Sequence, residues 1–504
     1  MRRENKKKQL IFTAILPLCI MACGKGVQAA EPKQEQEQTL PDNVVVAYVS
    51  EDIKYVDEVI PAQYTDDLSL LADMKYTNST YVYQDGKVYY RRYHKDSYEE
   101  TALWGSYDYH PIPGTKKEIV CVDADGAEMV LFTDEGYGDI YLVDNRFYMT
   151  DEKVCEENGS TYTERCLYSV DMQGNDRIDY GNGSIYVVDV ERKIFILKMK
   201  EDYYLMNYET GEKKPLLYEP DEHFYFNIEG YKDGWLYYEN GESDFSRLCA
   251  VSIEGKEKEI IAVTSNKSLN NEISYHESIL DFKVDEDRIY FIYGGYDGTA
   301  RGFQGGTLIS VKPDGTDYKA INVQDDNFYI SHDKGKTLVY FPRYDDDIIR
   351  ADGSEEYDML VWDVDADMCY CSDFSTFILF SYKRRIGLMW RYYPADKGVL
   401  CSRTPDMHPL IDKTDIYAIP DDSGKIVRVV MDIEKYITKW KGESIEKVEY
   451  DDFYFADGVL YFKAEYSAYD RDTSIGWRYG YRRLHTDIYR LKIGEDKAEV
   501  LYSY

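Results

Sequence analysis

Catalysis needs reactive side chains at defined spacing, and a search for such spacings opens the reading of this 504-residue chain. Glycoside hydrolysis needs two carboxylates at a set separation. With 94 acidic residues such a pair could form, but folding would create it and spacing nominates none. The seven histidines, His94, His110, His223, His276, His332, His408 and His485, are scattered, with no His-Glu-x-x-His and no zinc-like pairing. Asp363, Asp365 and Asp367 begin like a calcium loop, yet Met368 and Phe374 stand where the glycine and the bidentate glutamate belong. Asp345 to Asp347 remain an alternative source of calcium oxygens. Cys369 and Cys371 would point the same way from a strand and read as core thiols. Ser444-Ile445-Glu446-Lys447 matches Ser-x-x-Lys without the Lys-Thr-Gly that should follow, and Gly-x-Ser-x-Gly is absent. The expectation is therefore no metal, no cofactor and no nominated catalytic residue.

What remains is recognition chemistry. Three long insertions, 93–113, 293–306 and 466–485, carry Trp104, Tyr107 and His110, then Arg301 and Phe303, then Trp477, Arg478 and Tyr479. Aromatic rings and arginine anchor interfaces, and exposed rings also suit sugars. The competing reading is that these rings pack long hairpins onto their neighbours.

The elements that must carry these insertions follow from a repeat. Its first half is a turn and an aromatic strand, cleanest in Asp85-Gly86-Lys87-Val88-Tyr89-Tyr90, Asp233-Gly234-Trp235-Leu236-Tyr237-Tyr238 and Asp457-Gly458-Val459-Leu460-Tyr461-Phe462. Weaker copies begin at Asp144, Gly183, Asp287 and Gly335, and the most degenerate is Ser375 to Phe380. The second half is a strand ending in an acidic or glycine turn, as in Leu167-Tyr168-Ser169-Val170-Asp171-Met172-Gln173-Gly174, with further copies at Ile119, Tyr204, Leu248, Leu308, Leu360, Ile416 and Ile488. The halves alternate eight times. Glycine supplies positive φ and aspartate bonds its own backbone, while 52 tyrosines favour pleated, half-buried surfaces. A four-stranded sheet cannot bury both faces alone. Set radially, each packs on its neighbours and only short edges remain.

The reading is thus all-β, a single β-propeller of about eight four-stranded blades with seven as the alternative. All three insertions fall between the two halves of their repeats, which places them on one rim. The strand-like stretch 43–49 would close the ring on the last blade or pack beneath it, and 65–74 has the spacing of a short helix.

These repeats resemble the bacterial propellers related to the low-density-lipoprotein-receptor type, whose units run roughly Asp-Gly-Trp-Ile-Tyr-Tyr and then Leu-Tyr-Lys-Ile-x-x-Asp-Gly. The resemblance covers 81–504 and departs from the pattern between Asp345 and Lys447. It implies an exported protein with no assigned reaction, and it offers no catalytic residues to carry over.

The N-terminus fits export. Arg2, Arg3, Lys6, Lys7 and Lys8 precede an uncharged run from Leu10 to Ala22, shorter than the roughly 20 residues of a membrane span. Ile20-Met21-Ala22-Cys23-Gly24 resembles the lipobox of bacterial lipoproteins, so 1–22 reads as a signal peptide and Cys23 as the lipidated residue. Val27-Gln28-Ala29 offers a rival cleavage site and a freely secreted product. Residues 23–42 read as a disordered tether and 43–504 as the propeller. Removing 1–22 leaves 55 basic against 93 acidic side chains, a balance that disfavours nucleic acid. Of the cysteines beyond Cys23, only Cys155 and Cys166 sit at hairpin-like separation; the alternative is that all are buried thiols. The expected protein is a monomer anchored at the outer face of a membrane, binding a protein, peptide or glycan. The alternative is a carbohydrate-active hydrolase or lyase with carboxylates in the central funnel.

Overall fold

Each clean Asp-Gly pair sits at positive φ in both positions, 51° and 76° at Asp85 and Gly86, 51° and 81° at Asp233 and Gly234, 49° and 73° at Asp457 and Gly458. That is the mirror-image turn whose twist matches two antiparallel strands, so each pair joins the first strand of a sheet to its second. The computed structural model describes residues 44–47, 55–60, 63–72, 74, 81–94, 98–103, 106–112, 115–157, 160–199, 202–217, 226–241, 245–265, 277–285, 287–297, 302–323, 327–349, 355–381, 384–395, 398–406, 414–433, 439–470, 480–495 and 497–504. Residues Asn43–Tyr504 belong to one unit, and no described helix is long and apolar enough to cross a membrane.

The strands form consecutive antiparallel meanders of four. In chain order the sheets span 81–134, 137–182, 184–217, 226–264, 278–323, 329–381, 384–433 and 447–503. The sixth and seventh are fused into one ten-stranded sheet by pairing of Leu379, Phe380 and Ser381 with Ile386, Arg385 and Arg384. All eight second-half segments of the repeat are third strands. Two first-half copies are corrected. Gly183 to Tyr186 opens the first strand of the third sheet, whose hairpin turn is instead Val190 to Lys193, made without glycine and with Lys193 at positive φ. Ser375 to Phe380 lies inside the strand Met368–Ser381, while Gly398–Asp406 is the second strand of the seventh sheet.

The sheets close on one another. Seven apolar clusters each unite two successive sheets, and one of them joins the eighth to the first through Tyr81, Tyr90 and Val120 against Tyr454, Tyr461 and Ile488. The sixth and seventh also meet where Tyr329–Asp333 packs on Gly398–Asp406. A cyclic succession of face-packed four-stranded meanders is a β-propeller. The tyrosines supply this packing: Tyr90, Tyr168, Tyr290, Tyr454 and Tyr489 are among the largest fully buried side chains. First strands of neighbouring sheets lie together, Tyr81–Gln84 with Tyr137–Val143 and Phe226–Lys232 with Ser278–Val284, so the first strand is innermost.

Among the described residues, ring closure uses no shared strand. Tyr90 stacks on Tyr502 with centroids 5.2 Å apart, Arg490 donates to the Ala124 carbonyl at 2.8 Å, and Tyr83 donates to Asp457. The expected closure of 43–49 on the last blade is corrected: Val44–Val46 pairs in parallel with Glu257–Thr264, the outer strand of the fourth sheet. Next, Tyr55–Ile60 adds in parallel to the sixth sheet and Tyr64–Thr65 to the seventh. The segment thus satisfies the unpaired backbone groups of outer edges. The helical stretch shrinks to a 3-10 turn, Leu68–Leu71, capped by Asp67, and buries Leu71 and Met74 between the seventh and eighth sheets.

Candidate functional site on the inner strands

The hairpins joining second to third strands are long in the second, fifth, sixth and eighth sheets, and the first sheet carries a separate hairpin there, Tyr98–Leu103 with Ser106–Pro111. In identically wound meanders these connections share one end of the ring. Tyr107 and His110 lie on Ser106–Pro111, which packs alongside Gly480–Lys492 of the eighth sheet. Phe303 pairs with Tyr296 in the fifth-sheet hairpin, with the sixth and seventh sheets between it and the eighth. Trp104, Arg301, Trp477, Arg478, Tyr479 and Cys23 lie outside the described residues, as do the side chains of Tyr107, His110 and Phe303.

Cys155 pairs with Tyr162 and Cys166 with Asp151. Four residues of offset, about 13 Å along a strand, rule out the Cys155–Cys166 disulfide. Cys166 is a buried free thiol, as are Cys121 and Cys249, and Cys369 is buried. Asp363 is absorbed in structure: it binds Lys336 Nζ at 2.8 Å and caps the Ala366 N–H. Among the described residues no group of three or more His, Cys, Asp or Glu is placed to hold a metal ion.

The sequence reading missed a recurrent bulge. In the second, third, fourth, fifth and eighth sheets the inner strand shifts register against its partner, and the extra residues include Asp139, Tyr186, Glu229, Asp281 and Asp452 respectively. A bulge re-aims a side chain that ordinary alternation would bury or expose. The signal was present as an acidic residue four or five positions before the turn in four of these sheets, but a search for turns and apolar strands passes over it.

These carboxylates differ in their partners. Asp281 binds the buried ammonium of Lys283 and accepts from the Phe328 N–H at 3.2 Å, and Lys283 lies 4.0 Å from the Phe328 ring centroid. Asp452 binds Lys463 at 3.1 Å. Glu229 has no described basic partner, and its Oε1 is buried without a hydrogen bond. Burial, with the charges of Glu239 and Asp281, pushes its carboxyl up to about 8. Glu239 is 0% exposed, reaches across to accept the Ile279 N–H at 3.0 Å and also has a hydrogen bond from the Ser246 side chain. Burial raises its carboxyl as well. Tyr186, 42% exposed, donates to the Ile228 carbonyl at 3.1 Å and so stands beside Glu229. Two residues join the second and third strands of the third sheet and four those of the fourth.

No family model and no curated protein matches this chain. Solved structures do. The β-propeller domain of the trilobed protease from Pyrococcus furiosus, described as having an open velcro topology, is 12% identical over 72% of this chain and 97% of its own, with a TM-score of 0.36. Oligopeptidase B from Trypanosoma brucei is 13% identical over 81% of this chain and 55% of its own, with a TM-score of 0.41. The tricorn protease is 12% identical over 82% of this chain, with a TM-score of 0.26, and this chain spans 35% of its length. The chain likewise spans 56% of a prolyl endopeptidase and 57% of a post-proline cleaving enzyme from Rickettsia typhi. The fold rests on the sheet topology, and no activity is transferred.

Proposed function

We propose that this protein is a non-catalytic binding propeller of eight blades, lipid-anchored through Cys23 at the outer face of a membrane and engaging a protein, peptide or glycan. The observation that supports it most is the approach of the first-sheet hairpin to the eighth-sheet hairpin across the ring closure. Two of the three aromatic insertions, with Trp104, Tyr107 and His110 on one and Trp477, Arg478 and Tyr479 on the other, thereby belong to adjoining supports. Loops on a rigid scaffold are where recognition concentrates. The experiment is a comparison of the detergent-solubilised full-length protein with its Trp104→Ala, Trp477→Ala, Arg478→Ala triple variant on a glycan array and against envelope proteins. Loss of a ligand in the variant while its circular dichroism stays unchanged supports the reading. A ligand retained equally by both refutes this placement.

One observation favours the alternative, a hydrolase or lyase acting on polysaccharide. Glu229, protonated near neutrality, has the ionisation a general acid needs. Of the carboxylates that act on it, however, Glu239 is wholly buried and Asp281 is paired with Lys283, and glycoside hydrolysis needs two carboxyls facing the substrate. Polysaccharide cleavage abolished by Glu229→Gln would establish the enzyme reading.

A further inference from the structure

The sixth and seventh sheets are joined by a hairpin that extends beyond both. Along Met368–Ser381 the pairing with Glu355–Asp363 ends where Ile378 stands opposite Glu355. Leu379, Phe380 and Ser381 pair instead with Ile386, Arg385 and Arg384. The pairing of Arg384–Ala395 with Gly398–Asp406 starts only at Gly387. Glu355 is the first residue of a third strand, and third strands start at the rim, so the hairpin 379–386 stands past both neighbouring strands at the rim end. A two-stranded hairpin is marginally stable in water unless something covers it.

Its composition reverses that of the rest of the chain. Between Asp373 and Asp396 there is no acidic residue, while Lys383, Arg384, Arg385 and Arg391 are basic, in a protein of net charge −34. The same stretch carries Phe377-Ile378-Leu379-Phe380 on one strand and Ile386, Leu388, Met389 and Trp390 on the other. Arginines beside aromatic and aliphatic residues are what a bilayer interface takes. Basic groups are drawn to anionic headgroups, and amphipathic rings sit at headgroup level.

We infer that this hairpin docks on an anionic lipid bilayer, with Arg384 and Arg385 meeting headgroups and the flanking apolar residues entering the interface. The inference rests on the anchored reading above and gives the ring a second point of attachment. Position supports it. Val44–Val46 pairs with Ala262, Val263 and Thr264, the last residues of an outer strand that runs toward the rim, so the N-terminal segment also joins the ring at its rim end. A lipid on Cys23 precedes Val44 by about 20 residues, at most roughly 70 Å of extended chain, and one bilayer can meet both. A single tether leaves a ring free to turn, whereas a second contact fixes which side faces the membrane.

The test is hydrogen exchange, followed by mass spectrometry, of the full-length Cys23→Ser protein, which carries no lipid, titrated with phosphatidylcholine vesicles and with vesicles that also contain phosphatidylglycerol. Expected is protection of peptides within 377–390 by the anionic vesicles, with at least tenfold more lipid needed in Arg384→Glu, Arg385→Glu. The charge-matched control Lys256→Glu, Lys334→Glu, in exposed turns at the opposite end of the ring, should behave as its parent. Protection read at the hairpin itself separates it from the basic residues Arg2 to Lys8, which also attract anionic lipid. No protection of 377–390, or equal protection by neutral vesicles, overturns the proposal. So does a hairpin variant that loses stability in urea yet is protected as before, the result expected if the arginines serve Asp345 to Asp347 of the adjoining hairpin. Partition of the wild type into Triton X-114 tests the lipid at Cys23 separately, so failure of either reading is distinguished from failure of the other.

Discussion

Two buried carboxylate sites, one between the first and second sheets and one between the fourth and fifth, are built from the same residue types to opposite effect. At the first, Asp134 accepts from the Tyr168 hydroxyl at 2.5 Å, from the Gly136 N–H at 2.9 Å and from Arg91 at 3.2 Å, the arginine being 3% exposed. At the second, Glu239 is held by the Ile279 N–H and the Ser246 side chain, whereas Glu229 Oε1 is buried with no donor. The complete set locks two blades together, whereas the incomplete one leaves Glu229 holding its proton. Burial alone therefore does not set what a carboxylate does for the fold; the tally of satisfied oxygens does.

The sharpest way to break the comparison is Arg91→Ala. Removing one partner of a buried pair leaves the other uncompensated, and the protein should lose roughly 3–5 kcal/mol of stability in urea. A loss below 1 kcal/mol would place Asp134 with Glu229. Next in size, Glu229→Gln should stabilise the protein at pH 8.5 by roughly 1–3 kcal/mol, read from the same urea midpoint. The sign follows from linkage: a glutamate held near 8 keeps its proton in the folded chain after the unfolded chain has lost it, so stability falls as pH rises from about 4.3 to 8. Glu239→Gln removes one of the two charges that raise Glu229, so the Glu229 midpoint, followed by carbon-13 NMR of glutamate-labelled protein, should move down. Tyr186→Phe deletes a partly exposed hydroxyl whose acceptor is a backbone carbonyl, and should cost under about 1 kcal/mol.

The sequence made the propeller legible because its signals are local. An Asp-Gly pair at positive φ and a Leu-Tyr-x-Val strand need no distant partner to be recognised, and all eight third strands lie where the repeat placed them. Where a turn dispensed with glycine, as at Val190 to Lys193, the copy was misplaced by one strand. The path of 44–65 was not legible either, since an edge strand pairs through backbone groups that every residue carries, and nothing in Val44-Val45-Val46 specifies the fourth sheet over the eighth. Of the candidate site, the carboxylates were legible only as composition. Their selection depends on bulges, and their meaning depends on which partners the fold withholds from Glu229 and grants to Asp281.

The most direct test of this account is the unfolding free energy of wild type and Glu229→Gln measured in urea at several values from pH 5 to 8.5. An uncompensated Glu229 predicts curves that coincide near pH 5 and diverge as pH rises, with the variant the more stable. Parallel curves across that range would show Glu229 to be as well satisfied as Asp134, and would contradict the distinction between the two sites.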